Sequence, residues 1–156
     1  MKELTLESAW NWATGRCALR EVCRHDIFQK LCQKGLSASD AEKVCDRLED
    51  EKYVDDGRYA RAFAHDKILF DGWGKIKVTQ ALRLKQIPRD VVDAALEEAV
   101  DETAYHSKLH DVLVTKNRSV KEEDIYKRTE KLVRFAASRG FEPNLIFATL
   151  EEILQD

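Results

Sequence analysis

The chain has 156 residues, 44% of them hydrophobic and 35% charged, with a formal net charge of −3. No apolar run approaches the ~20 residues of a membrane span, and the opening MKELTLESAW lacks an apolar signal core, so a cytoplasmic protein is expected. A net acidic chain is not a simple DNA-coating protein, and two prolines with six glycines give too little punctuation for an all-β fold.

Nine helices are expected, near residues 6–20, 24–34, 39–52, 56–70, 75–86, 88–100, 101–117, 122–139 and 143–155. In the first, Trp10 and Trp12 lie about 200° apart around the axis, so both cannot face one core; one is expected to pack and the other to be covered by a neighbouring segment or to stand free. The cysteines at 17, 23, 32 and 45 form no C-x-x-C pair and are read as semi-buried thiols. Ser39 with Glu42, and Ser119 with Glu122, have capping-box spacing. Pro88 and Pro143 suit a first helical turn, and Gly35 and Gly140 suit the left-handed residue after a helix.

Three apolar triads share one spacing: Ile27/Leu31/Leu36, Val78/Leu82/Ile87 and Leu132/Ala136/Phe141. A basic residue, Lys34, Lys85 or Arg139, precedes the last member of each by two positions. The pattern predicts an all-α fold of three tandem three-helix repeats in an elongated modular array, at 1–54, 55–100 and 101–156. Gln86 occupies the middle repeat's equivalent of Gly35, and the same cap there costs roughly 1 kcal/mol.

The middle repeat opens with YVDDGRYARAFAHDKILFDGWGK, from Tyr53 to Lys75. Asp55 and Asp56 are read as helix-capping acids. Tyr59, Phe63 and Phe70 recur at helical spacing, with Ala60 and Ala64 allowing close packing. Gly72 and Gly74 permit a tight turn, and Trp73 plugs the gap between two helices. Asp55, Asp56, Phe63, Gly72, Trp73 and Gly74 are therefore the structural residues of the segment.

That stretch, continued through IKVTQALRLKQI, resembles the central signature of the RecX family, bacterial modulators of the RecA recombinase. The resemblance rests on the hydrophobic-x-Asp-Asp-x-Arg-aromatic-Ala run, the Gly-Trp-Gly turn and the Ile/Val-x-x-x-Leu-x-x-x-x-Ile helix. It extends into IFQKLCQKGLSASDAEKVCDRLEDEKYVDD before it and, more weakly, into RTEKLVRFAASRGFEPNLIFATL after it, and covers roughly residues 8–153. Gln86 and Cys23 depart from it, where a glycine and a serine-type cap are usual. The resemblance implies three three-helix repeats and a non-enzymatic role. It implies binding to RecA and its DNA filament, with restraint of RecA's ATPase, strand exchange and coprotease activity.

Charge is striped along the chain. Residues 58–89 carry eight Lys/Arg against two Asp, a net of +6, and 104–140 carry nine against five, a net of +4. Residues 1–35 are net +2, whereas 36–57, 90–103 and 141–156 are −5, −6 and −4. The last helix of each unit is thus acidic, the reverse of a recognition helix entering the major groove. Lys34, Arg58, Arg61, Lys75, Lys77, Arg83, Lys85 and Arg139 are the candidate contacts to RecA or DNA. Lys75, Lys77 and Arg83 are expected to act in function more than folding, and Lys85 in both.

No Walker-type loop or H-E-x-x-H pattern occurs. His106 and His110 share a helix face but lack further ligands. The sequence therefore predicts no enzyme, no cofactor and no metal. A monomer is expected that partners RecA and the RecA–DNA filament, with weak binding to single- or double-stranded DNA. The rival reading is a general nucleic-acid-binding helical module without a RecA role.

Overall fold

A computed structural model describes residues 4–155. They form nine helices and no strand: α1 (Leu6–Leu19), α2 (Arg24–Gln33), α3 (Ala38–Asp50), α4 (Asp56–Leu69), α5 (Lys75–Leu84), α6 (Arg89–Ala99), α7 (Glu102–Ser119), α8 (Ile125–Ser138) and α9 (Pro143–Leu154). They group as three successive helix triplets, as the triads predict.

The triads mark one structural device used three times. After α2, α5 and α8 the chain turns through a left-handed residue: Gly35 at φ +105°, Gln86 at +62° and Gly140 at +93°. The next residue's N–H then donates to the carbonyl five positions back, Leu36 to Leu31, Ile87 to Leu82 and Phe141 to Ala136. This is the Schellman closure, and it folds the last apolar residue of each triad back over the helix end. Leu36, Ile87 and Phe141 are all buried.

Both expected capping boxes are displaced. Ser37, with extended backbone just after the Gly35 turn, caps α3 by accepting from the Asp40 N–H at 3.1 Å. Ser39 lies inside the helix, and Glu42 pairs with Arg24 instead. Ser119 ends α7, its hydroxyl donating to the Lys116 carbonyl, and Asp124 caps α8 through the Tyr126 N–H at 2.9 Å. Pro143 is the first residue of α9, but Pro88 precedes α6 as its cap residue.

The apolar interior is divided unevenly. The first triplet has its own core, from Ala9 and Ala13 through Ile27, Leu31 and Leu48 to Val54. The second and third triplets share one continuous core from Ala60 to Leu150, which Cys23 also joins. Ala60 and Ala64 on α4 are fully buried, and their small side chains let that helix sit close to its neighbours. Phe70 does not continue this stripe. It is the residue just past α4 and is 74% exposed, because the chain has already begun to turn outward. Trp10 and Trp12 are both partly buried against the first core, so neither stands free. Cys23 and Cys45 are buried, and burial pushes their thiols up to about 11, which leaves them unreactive at neutral pH.

Candidate partner interface

Asp55 accepts from the Arg58 N–H at 3.0 Å and caps its own helix. Asp56 reaches backward and accepts from the Arg24 N–H at 3.0 Å, at the start of α2. Cys23 offers that helix no side-chain cap, so a carboxylate from the next repeat supplies it. Burial raises the Asp56 pKa, partly offset by that N–H. The paired aspartates therefore do two jobs, one local and one between repeats.

Two ion pairs complete this junction. The Arg58 guanidinium meets Glu21 and donates to the Tyr53 carbonyl at 3.1 Å. The Lys85 ammonium lies 2.7 Å from Asp26. Burial opposes the charge on Lys85, but the Asp26 carboxylate outweighs it and holds the pKa above the ordinary lysine value. The first repeat is thus fixed to the second largely by polar contacts.

The Gly-Trp-Gly turn serves the other junction. The Gly74 N–H donates to the Arg139 carbonyl at 2.7 Å, and the Ile76 N–H to the Gly140 carbonyl at 2.9 Å. A Cβ on Gly74 would lie 2.3 Å from the Gly140 carbonyl, so the two backbones touch. Gly72 has φ +72° and serves the turn itself, whereas Gly74 has φ −90° and is required for space. Tyr105, fully buried, accepts from the Lys75 N–H at 2.9 Å and donates to Glu142. The Lys75 ammonium pairs with Glu102 at 3.0 Å above the Tyr105 ring.

These contacts sort the basic candidates. Arg58, Lys75 and Lys85 hold repeats together. Arg61 pairs loosely with Glu98 at 3.4 Å, and Arg83 donates to the Ile87 carbonyl at 3.0 Å. Lys34, Lys77 and Arg139 stand over rings that two cations flank, one such ring per repeat, and Arg139 also donates to the Asp71 carbonyl at 3.2 Å across the second junction. Lys34 and Arg16 stand 5.0 and 5.4 Å from the Trp12 ring centre. Lys77 and Lys67 stand 4.4 and 4.9 Å from Trp73. Lys116 and Arg139 stand 4.8 and 5.1 Å from Phe135. All lie within cation–π range. Trp73 is partly buried, with Phe63 edge-on at 6.1 Å, so it is a wedge with one part of its ring in solvent and not a sealed plug.

Arg16, Lys67, Lys116 and Phe135 were not among the expected contacts. The Phe135–Arg139 pair has i,i+4 spacing on one helix face and was legible; Lys116 meets Phe135 across two helices and was not. Phe135 also lines a cleft with Lys108, Lys116 and Arg139 and with Asp71 and Asp111, where Phe70 is exposed. Among the described residues, no group of three His, Cys, Asp or Glu side chains converges as a metal site, and no helix is long and apolar enough to cross a membrane.

The geometry revises the expectation for Lys75. Single reversals Lys75→Glu and Lys85→Glu are expected to destabilise by about 1–2 kcal/mol each, between the values for exposed and buried pairs. Lys77→Glu and Arg83→Glu are expected to cost about 0.5–1 kcal/mol each, through loss of one cation–π contact on Trp73 and of one hydrogen bond to the Ile87 carbonyl. Urea melts of the four variants check this, and equal midpoints for all four would remove the junction role.

A family model described as the second three-helix domain of RecX matches residues 55–96, which span α4 to α6 up to Leu96. The regulatory protein RecX of Prosthecochloris aestuarii is 31% identical over 154 residues, covering 99% of both chains. That of Chlorobium phaeobacteroides is 31% identical over 138 residues, covering 87% of each. The crystal structure of RecX from Lactobacillus salivarius superposes with a TM-score of 0.83 at 16% identity, over 94% of this chain and 95% of that one. At this identity the structural match speaks for the fold, and the sequence match along nearly the whole length speaks for descent: the chain belongs to the RecX family of regulatory proteins.

Proposed function

We propose that this protein binds RecA and the RecA–DNA filament and inhibits RecA's ATPase, strand exchange and coprotease activity. The observation that carries the reading is family membership across nearly the full length of the chain. The three units, 1–54, 55–100 and 101–156, act as successive docking modules, each bringing one cation–aromatic cluster. Several weak contacts on neighbouring protomers then add through effective concentration. Bridging protomers hinders the relative movements that ATP turnover in a filament requires.

Lys34, Lys77, Arg83 and Arg139 are the candidates best placed to touch the filament, with Arg61 beside them. Arg58, Lys75 and Lys85 contribute by holding the modules in register. Acidic third helices keep affinity for free DNA low and salt-sensitive. The protein works as a monomer in the cytoplasm.

The test is a titration of RecA's ATPase on single-stranded DNA. Substoichiometric protein is expected to lower the rate, with RecA from the same source. No effect at equimolar protein would remove the assignment. Tight DNA binding that persists at high salt without RecA would favour a general nucleic-acid-binding module.

A further inference from the structure

A hollow of about 180 Å³ opens between α1 and α2. Trp12, Val22 and Ile27 give it an apolar lining, and Leu19 at its edge is 79% exposed, unusual for a large apolar side chain. Arg16, Arg20 and Lys30 also line it and are exposed. Lys34 stands over the Trp12 ring beside them.

The electrostatics of this hollow differ from the rest of the repeat. Arg24 holds Glu42, Asp46 and Glu49, and Arg47 holds Glu51. Among the described residues, Arg16, Arg20, Lys30 and Lys34 enter no ion pair. The single acid lining the hollow, Asp26, is taken by Lys85. Four neighbouring cations that share one already paired carboxylate repel one another, and a partner bearing carboxylates relieves that repulsion.

We propose that this hollow is a docking site for an acidic peptide segment of a partner protein. One apolar side chain of the segment sits against Trp12, Val22 and Ile27, and flanking carboxylates pair with Arg16, Arg20, Lys30 and Lys34. The volume suits one large side chain. The arrangement disfavours a nucleic acid, because Arg16 and Lys34 already stand over the ring on which a base would stack. A peptide leaves those cations in place and uses them. Its apolar anchor supplies position, and the charges supply selectivity and on-rate.

The experiment uses the full chain and a fluorescent peptide of about ten residues, Asp and Glu around one central Leu, read by anisotropy at ~50 mM salt where charge pairing is weakly screened. Saturable binding is expected. Replacing the Leu by Ser, or introducing Arg16→Glu with Lys34→Glu, is expected to weaken it at least about tenfold, as loss of charge complementarity at a contact does. Lys30→Glu, which touches no aromatic ring, gives a second reading if the double variant melts early. Absence of saturable binding, or equal binding by the variants, overturns the proposal. So does tighter binding of an oligothymidylate of similar charge that depends on the same residues. None of these readings requires RecA, so the site and the RecA assignment fail separately.

Discussion

Replacing Gly140 by alanine is expected to destabilise the protein by about 2–5 kcal/mol, combining overpacking with a left-handed backbone. For a chain of this length that lowers the melting temperature by roughly 4–20 °C. Two penalties coincide at this residue. Its φ is +93°, and an added Cβ would lie 2.3 Å from the Lys77 Cβ and 2.5 Å from the Lys77 nitrogen. Neither is a flexible side-chain tip, so the first turn of α5 and the end of α8 must separate. Gly35→Ala is the control, because Gly35 has φ +105° but nothing within 4 Å of the added carbon. It carries the conformational cost alone, about 1–2 kcal/mol. Thermal unfolding followed by circular dichroism ranks the two. Equal melting would show that the two backbones are not in contact.

Trp73→Ala is expected to cost about 2–3 kcal/mol, below the 3–5 kcal/mol range for a fully buried aromatic because part of the ring is exposed. The loss comprises the edge contact with Phe63 and the ring under Lys67 and Lys77. Urea unfolding measures it, and inhibition of RecA's ATPase is measured alongside. A variant that melts like the parent but no longer inhibits would make Trp73 a contact residue instead of a wedge.

The helices and their threefold recurrence were legible because they arise from local rules. Apolar spacing set the buried faces, and Gly35 and Gly140 marked the turns. Even Gln86 was legible, since the triad around it demanded the same left-handed residue. The capping boxes misled because several polar residues near a helix start compete for the same N–H groups, and backbone direction after the preceding turn chooses between them. Ser37 won over Ser39 for that reason, and Asp124 won over Ser119. What joins the repeats was not legible. Asp56 capping α2, Lys85 meeting Asp26, and Gly74 lying on Gly140 each link residues 32 or more apart in sequence, where spacing carries no information. The eight basic candidates were chosen by charge, and charge cannot separate a cation that holds two repeats together from one left for a partner.

The uneven division of the core bears on the order in which the chain matures during its synthesis. Every buried member of the first cluster lies at or before Val54, so that unit can close soon after its last residue leaves the ribosome. The second unit cannot follow at once. Its interior is completed by Phe141, Ile146 and Leu150, and its Gly74 N–H waits for the Arg139 carbonyl. At ~5–20 residues per second the intervening stretch takes on the order of ten seconds to translate. During that interval the signature segment is on a nascent polypeptide with one side of its packing unformed.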